Sequence, residues 1–585
     1  MAPMRSVLVA NRGEIAVRII RGVKEIGMRA IAVYSELDRD AMHVRLADEA
    51  WNIGPAPAQQ SYLDIDSIMR VAVESKADAV HPGYGFLAEN AAFAKRVADA
   101  GLVWVGPPPH AITAMGDKIS SRIVAEKAGV SGVPGMTEPA GTVDAVRTVA
   151  AKYGYPIAIK AAHGGGGKGL RVVHADGELA SAFEAARREA DAYFKNPEVY
   201  VEKYLEFPRH VEAQIIFDSH GNGVFLGERD CSLQRRHQKL IEETPSSAVS
   251  DKQRKAIGKA ALAVAKAAGY VNAGTVEFLL DRSGDFYFLE MNTRLQVEHT
   301  ITEMVTGIDL VREQLSIAMG EELSTSDVET RGHAMEFRIN AEDPARDFMP
   351  NPGRIVEYRE PGGFGVRVDS GYGSGSAISQ YYDNLISKLV VWGRDRDEAI
   401  SRARRALGDY TITGIATTIP FHLLALDHPA FIEGTHHTRS VEDDMDLSGL
   451  TQPTGPILPG DEELAERQMT VEVGGRRFVV RLWAPEVVAP AAGGRRQPAR
   501  RRPPKLSHAA PVVDGEGAVT APMQGTIVKV HHKAGDRVEA GDPLFILEAM
   551  KMENEIKAPA AGEIVDLRVR AGDRVSGGAV LAIVR

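Results

Sequence analysis

The sequence has a single cysteine, Cys231. One cysteine excludes an internal disulfide framework and fits a reducing compartment. It has no surplus of positive charge: 69 Lys and Arg stand against 79 Asp and Glu, a net charge of −10. That balance gives no support to nucleic acid as the main partner, which favours a basic surface. Nothing approaches the run of about 20 apolar residues that a membrane-spanning helix needs. The start, "MAPMRSVLVANRGE", has too short an apolar piece for a secretory signal, and charge follows it at once. The expectation is a cytoplasmic protein with no membrane partner. Two nucleotide fingerprints are missing as well. The first strand-to-helix turn, Asn11-Arg12-Gly13-Glu14, lacks G-x-G-x-x-G. The glycine run at 164–167 is not a P-loop, because no Ser or Thr follows Gly167-Lys168 and Ala162 holds the place of the first glycine.

What is there suggests several domains. The chain has 585 residues, 44% hydrophobic and 25% charged, which at roughly 100–200 residues per domain means about three to five. "SVLVA", "NRGEIAVRIIRGVKEIGM" and "RAIAVY" read as strand, helix and strand, with Ile15, Ile19, Ile20 and Val23 on one helical face. This opening predicts an open α/β sheet. "HPGYGFLAEN" (81–90) reads as a loop at a strand end. From about 120 to 320 strands alternate with helices, and "DKQRKAIGKAALAVAKAAG" is a helix ending at Gly269. A mixed region follows from 330 to about 445.

The C-terminal part changes character. A strand pair over 469–483 turns at Gly474-Gly475. Residues 484–511 are rich in Ala, Pro, Arg and Gly, have no apolar period, and read as a flexible linker. Residues 521–547 then repeat as 558–584 at a constant offset of 37, with 13 of 27 positions identical. Each copy alternates apolar residues between glycine turns, so the pair predicts a small, two-fold pseudosymmetric β-sandwich over 512–585. Lys551 falls at the junction of the copies, inside Ala549-Met550-Lys551-Met552.

Four stretches carry candidate chemistry. In "IKAAHGGGGKGLRVV" (159–173), Gly164, Gly165, Gly166, Gly167 and Gly169 leave backbone N–H groups open to phosphate oxygens, with Lys168 at the tip. The same run also reads as a flexible loop; convergence with Lys118 and Lys160 would make it a nucleotide loop. A carboxylate set follows: Glu277, then Glu290, Asn292, Arg294, Gln296 and Glu298. In a strand Glu290 and Asn292 share a face, and such oxygen donors suit Mg²⁺ on ATP phosphates. The alternative is a salt-bridged surface strand, which the surrounding aromatic residues disfavour. "ERDCSLQRRHQKLIEETP" (228–245) is dense in cations, either a solvated face or an anion site. Cys231 within it reads as packing. Lys551 is the fourth candidate.

"ANRGEIAVRIIR", "HPGYGFLAEN", "GGGGKG", "ERDCSLQRRHQK", "EMNTRLQVEH" and "RINAED" occur in that order. Together they resemble the biotin carboxylases of the ATP-grasp superfamily over residues 1–446. "EAMKM" resembles the signature of a biotinyl-carrier domain, whose lysine carries biotin. The fused layout without a transferase domain is similar to the α subunits of actinobacterial acyl-CoA carboxylases.

The resemblance implies a multidomain α/β and α+β fold: an N-terminal α/β domain (1–120), an ATP-grasp domain (121–329) with a lid at about 133–205, and a mixed C-terminal domain (330–446). A small β connector (447–483), the linker and a lipoyl-like all-β carrier (512–585) follow. It implies that ATP activates bicarbonate to carboxyphosphate and that biotin on Lys551 is carboxylated. Lys118, Lys160, the 164–169 loop and His237 would surround the phosphates. Glu202, Lys203 and Leu205 would meet adenine, with His210 and Gln234 near the ribose and Leu279 and Leu289 also at the nucleotide. Glu277, Glu290 and Asn292 would hold Mg²⁺ or Mn²⁺. Glu298 would be the general base; Lys239, Arg294, Gln296 and Val297 would bind bicarbonate; Arg338 would stabilise the biotin enolate; and Tyr84 would border the biotin pocket. The implied partners are a separate carboxyltransferase β subunit, for which 469–483 is a candidate docking element, and, transiently, a biotin protein ligase. Acetyl-CoA or propionyl-CoA would be the acceptor.

Overall fold

The computed structural model describes residues 4–136, 138–162, 170–194, 196–452, 465–473, 476–484, 517–522, 525–549, 552–575 and 578–585. The chain divides into two units, Met1–Gln452 and Pro453–Arg585.

The first unit opens on a five-stranded parallel sheet in the order Glu49–Gly54, Arg29–Ser35, Ser6–Val9, Ala79–His81, Val103–Trp104. Parallel strands are covered on both faces, and Val7, Leu8 and Val9 of the central strand are fully buried. Helix Gly13–Glu25 buries Ile15, Ile19, Ile20 and Val23, the face expected from their spacing. Gly13 has a φ of 66°, a region glycine enters without a Cβ penalty, and so turns the chain from strand into helix. Asn11 Nδ2 donates to the carbonyls of Pro82 and Tyr84, each at 2.7 Å. This one side chain ties the Asn-Arg-Gly-Glu turn to the loop after the Ala79–His81 strand. Both lie at the carboxyl ends of the strands, where open α/β sheets place their ligands.

An eight-stranded sheet forms the centre of the unit. Its order is Phe286–Asn292, Asn272–Leu280, Arg209–Phe217, Gly223–Arg235, Gln238–Thr244, His333–Asn340, Leu385–Gly393, Val366–Ser370, and every adjacent pair is antiparallel. The sheet is continuous across residue 330, so strands on both sides of that boundary build one surface. Helix Asp251–Ala267 starts with a capping box of Ser250 and Gln253 and packs Ile257, Ala261, Val264 and Ala265 onto the sheet. A smaller three-stranded sheet, Arg171–Val173, Ile157–Ala161, Val199–Lys203, has a core of its own with Val146, Val149, Phe183 and Ala186. The segment 131–135 joins it to the central sheet: Phe288 N donates to Ser131 O at 2.9 Å, and Gly135 forms a bridge with Glu202.

In the second unit, Ala465–Val473 and Arg476–Ala484 pair antiparallel from Ala465↔Ala484 to Val473↔Arg476. The strands extend beyond the expected 469–483, and Gly474 and Gly475 lie outside the described residues. The carrier region is two four-stranded sheets. One has the order Ala518–Thr520, Val580–Val584, Gly562–Leu567, Arg537–Val538; the other has Met552–Lys557, Pro543–Ala549, Gly525–Val530, Arg574–Val575. Adding 37 to Gly525–Val530 gives Gly562–Leu567, and adding it to Arg537–Val538 gives Arg574–Val575. The repeat therefore exchanges the two sheets strand for strand, as a two-fold sandwich requires. The core obeys the same rule: Val519 and Ile556, Ala521 and Ala558, Ile527 and Ile564, Val538 and Val575, Leu544 and Leu581, Leu547 and Val584 are buried in matched pairs. Phe545 opposes its small mate Ala582, so one large ring fills the centre. Truncating such a buried ring costs about 3–5 kcal/mol. Phe545→Ala is expected to lower the unfolding temperature of the carrier region in calorimetry of the whole chain, while the transition of the first unit stays in place.

Candidate active site

The central sheet arranges acids in a row. Glu277 pairs with Glu290 on one neighbouring strand and with Glu212 on the other, and Glu212 pairs in turn with Arg229. Side chains directly opposite share a face, and like charges so placed repel. Cations at one end of the row offset this. Arg229, fully buried, donates to Glu212 Oε1 at 2.5 Å and to Gln296 Oε1 at 2.8 Å. Lys239 Nζ donates to Glu212 Oε2 at 2.5 Å, Glu298 Oε1 at 2.6 Å and Glu277 Oε1 at 3.0 Å. An ammonium has three donors, so Lys239 spends all of them on three carboxylates. Arg338 bridges Glu242 Oε1 at 2.6 Å and Glu298 Oε2 at 2.9 Å.

These contacts set the protonation states. Burial alone would raise the Glu298 pKa, but Lys239, Arg338 and Arg229 more than offset it and hold it well below the carboxylate range. Glu277 is likewise held low against its burial by Lys239 and His210, whose Nε2 lies 2.9 Å from Glu277 Oε2. Glu290, at the other end of the row, is different. Burial raises its pKa, Glu277 raises it further, and Lys118 only partly counters them. The end of the row formed by Glu277 and Glu290 thus carries more negative charge than the side chains neutralise. Asn292 lies beside it and donates to Glu277 Oε1 at 2.8 Å. All three offer oxygen, so they fit a hard divalent cation.

The remaining candidates fall around this row. Lys118, Glu202 and Leu289 line one cavity with Ile119, Arg122, Val133, Met136, Tyr200 and Phe288, between the small sheet and the central one. Lys160 is ion-paired with Glu202. Lys203 Nζ turns away to the carbonyl of Tyr155 at 2.9 Å, and its backbone N–H donates to Pro134 O at 2.7 Å. His210 lies opposite Leu279 in the strand register, and Gln234 opposite Lys239. Leu205 is half-buried just past the small sheet. His237 sits exposed on a turn with a φ of 66°. Arg294 is held by Glu89 Oε2 at 3.2 Å and Asn292 Oδ1 at 3.1 Å. Gln296 donates to Glu277 Oε1 at 2.8 Å. The Val297 carbonyl accepts from buried Lys388 at 2.8 Å. Tyr84 donates to Glu14, which also neighbours Lys388 at 3.3 Å. Residues 163–169, with the glycine loop, and Lys551 lie outside the described residues. Ala549 and Met552, on either side of Met550 and Lys551, are paired across two strands.

Four family models match in chain order: "Biotin carboxylase, N-terminal domain" over 3–112, "Carbamoyl-phosphate synthase L chain, ATP binding domain" over 117–326, "Biotin carboxylase C-terminal domain" over 336–443 and "Biotin-requiring enzyme" over 517–584. The biotin-dependent acyl-coenzyme A carboxylase alpha3 subunit of Mycobacterium leprae is 49% identical over 559 residues, covering 94% of this chain and 93% of the relative. This chain belongs to the biotin-dependent acyl-CoA carboxylase α subunits. Biotin carboxylase 1 of Bacillus subtilis is 51% identical over 75% of this chain and 98% of its own. A Campylobacter jejuni biotin carboxylase structure superposes with a TM-score of 0.72 at 45% identity, over 75% of this chain and 98% of that one.

For this carboxylase α subunit, the sequence reading missed residues that the sheet brings in. Glu212 and Glu242 are buried at the row and behind it, yet each looks like an ordinary polar position in an alternating strand; buried Arg229 stands in the cation-dense stretch 228–245, which reads as a solvated face or an anion site. Glu89 comes from the loop after the Ala79–His81 strand, 205 residues before the Arg294 it holds. Lys388 did carry a signal: a lone lysine inside "LISKLVVWG" is costly to bury unless paired. Cys231 is buried and burial first of all raises its thiol pKa well above the usual range, which suits packing. It nonetheless lies close to Glu212 and Glu298, with ligand atoms within 4.8 Å of one another, as do His210, Glu212 and Glu277. Glu290 is in neither of these groups.

Proposed function

We propose that the first unit carboxylates biotin with bicarbonate at the expense of ATP, and that the row from Glu290 to Arg229 is where the anions meet. The observation that carries this reading is Lys239, whose three donors join Glu212, Glu277 and Glu298. Bicarbonate entering here takes the place of a carboxylate on Lys239, beside Arg294, whose planar fork suits an oxyanion. Once Lys239 and Arg338 share their charge with that anion, Glu298 loses part of what holds its pKa down. Its affinity for a proton rises at the moment a proton must leave bicarbonate. Glu298 thus acts as the base, and Arg338 is already aimed at the same spot. Lys388 fixes the Val297 carbonyl and with it the Gln296-Val297 backbone beside the anion.

Glu277, Glu290 and Asn292 would hold Mg²⁺ or Mn²⁺, whose chemistry here is to neutralise phosphoryl oxygens. Lys118 faces the same cavity as Glu202, Lys160 is ion-paired with that Glu202, and the two lysines would supply cations to the phosphates. The small three-stranded sheet, with its own core, is the part suited to close over the nucleotide and exclude water. Biotin is carried on Lys551. Membership of the α subunits implies a carboxyltransferase partner. We infer that it is a separate β subunit that carboxylates acetyl-CoA or propionyl-CoA in a hetero-oligomer, with the Ala465–Ala484 strand pair as its docking element and a biotin protein ligase as a transient partner.

The ATP-binding segment also matches carbamoyl-phosphate synthases, which sets the test. Purified chain with ATP, Mg²⁺ and bicarbonate is expected to release ADP faster when free biotin is added. Stimulation by ammonia and not by biotin overturns the reading.

A further inference from the structure

Behind the Arg338–Glu298 bridge lies a second pair of acids that the reaction as described does not use. Glu242 on Gln238–Thr244 and Glu336 on His333–Asn340 are directly opposite in the antiparallel register. Both are fully buried. Each has one oxygen satisfied: Glu242 Oε1 by Arg338 at 2.6 Å, and the Oε2 of Glu336 by the Thr300 hydroxyl. Each has one buried oxygen, Glu242 Oε2 and Glu336 Oε1, without a hydrogen-bond partner among the described residues. Two orphaned acceptors on opposed side chains are costly twice over, in desolvation and in mutual repulsion.

We propose that Glu242 and Glu336 share one proton between these two oxygens, and that this proton keeps the Arg338 guanidinium aimed at Glu298 and the reacting anion. The O–H formed on one carboxyl donates to the other, which satisfies both orphans and leaves the pair with a single negative charge. Loss of the proton to solvent leaves two charges, and Arg338 is then drawn toward Glu242 and away from Glu298. Glu242 and Glu336 are positioning residues, since they touch the reaction only through Arg338.

The surrounding charges support this count. Glu242 faces Arg338, Glu336, Glu298, Lys239 and the thiol of Cys231. Glu336 faces Lys388, Arg338, Thr300 and Glu298. Arg338 is already shared with Glu298, Lys388 with Glu14, and Lys239 with three acids. Among the described residues no cation is left to neutralise a second charge on the pair. Burial first of all raises both carboxyl pKa values; Glu298 raises both further and Glu336 raises that of Glu242, against the pull of Arg338 on both, of Lys239 on Glu242 and of Lys388 on Glu336. The folded-state values are raised, so the proton is held at neutral pH and lost as the pH rises through them.

The inference rests on the biotin-carboxylating reading, and the experiment separates the two. In the full chain, kcat for bicarbonate- and biotin-dependent ADP release is expected to fall through a one-proton limb on the alkaline side, with the KM for ATP flat. In Glu336→Gln the amide cannot lose its proton and still donates to Glu242, so the limb moves up by about one pH unit or more. Glu242→Gln serves the same purpose if the first variant does not fold. Absence of the limb in the native chain, or an unchanged limb in a folded variant, overturns the inference. No bicarbonate-dependent turnover at all overturns the functional reading instead. In that event infrared difference spectra at neutral pH, native minus variant, still decide the shared proton: a protonated-carboxyl band lost in the variant supports it, and no such band removes it.

Discussion

Glu298→Gln is expected to lower kcat for bicarbonate-dependent ADP release by about 10²–10⁴-fold, the usual contribution of a positioned general base, with little change in the KM for ATP. The amide keeps the shape of the side chain, but its single oxygen can accept from only one of Lys239 and Arg338, which lie 2.6 and 2.9 Å from the two carboxylate oxygens. What it loses is the charge and the ability to take a proton. The nucleotide contacts proposed above lie elsewhere, around the cavity of Lys118 and Glu202, so a change confined to kcat separates the base from general damage to the site. The native Glu298 pKa is depressed against its burial. Its charge is therefore fully present above the unfolded carboxylate value of about 4.3, and its contribution to stability is lost only as the pH falls through the lower folded value. The acid limb of native kcat, in contrast, follows Glu298 with bicarbonate bound, where its proton affinity is higher. Activity in the variant within tenfold of native would mean that another group takes the proton.

Glu298 and its neighbours also show which parts of the molecule sequence can reveal. The carrier sandwich was legible almost completely, because a repeat is a statement about structure: an offset of 37 that preserves turn glycines and apolar positions predicts both the sheets and their exchange. Gly535 and Gly572, matched by the offset, both have a φ of 94°, which explains why neither copy could replace its glycine. Glu290 and Asn292 are legible as one-face positions of a strand; the adjacent strand that sets Glu277 opposite Glu290 is not. The acid row was not. It crosses strands that are distant in sequence, and strand order is set by packing, which alternation does not encode. Glu242 meets Glu336 across 94 residues, and the intervening boundary at 330 reads as a change of domain although one sheet passes through it. A buried polar side chain in an alternating strand looks the same as a solvent-facing one until the second face of the sheet is known to be covered. Lys388 is the exception, because it is the one charged residue in the otherwise mostly apolar run Leu385–Gly393.

Lys551→Ala is expected to remove all biotin from the chain, seen as loss of one biotin mass and of avidin binding, and to abolish carboxyl delivery to an acyl-CoA acceptor. ADP release driven by free biotin should persist, since the acid row and Arg338 lie in the other unit. The argument comes from the sandwich. Its strands are paired up to Ala549↔Met552, and the two-fold maps this end of the sheet onto the end where the chain enters at Gly517 and finishes at Arg585. There Val584 N donates to Gly517 O at 2.8 Å. A two-fold relates distinct places, so the lysine and the tether attach at different points of the domain. The tether, 484–511, has 28 residues, and fully extended could reach on the order of 90–100 Å. A flexible linker of this length would give the carrier an effective concentration of about millimolar at a site within its reach. Untethered biotin should therefore need a high concentration to match native turnover. Lys551→Arg separates charge from chemistry, because it keeps the cation but offers no amine for the amide bond. Avidin binding that survives either substitution would assign the biotin to another lysine and leave the two methionines beside Lys551 without a role.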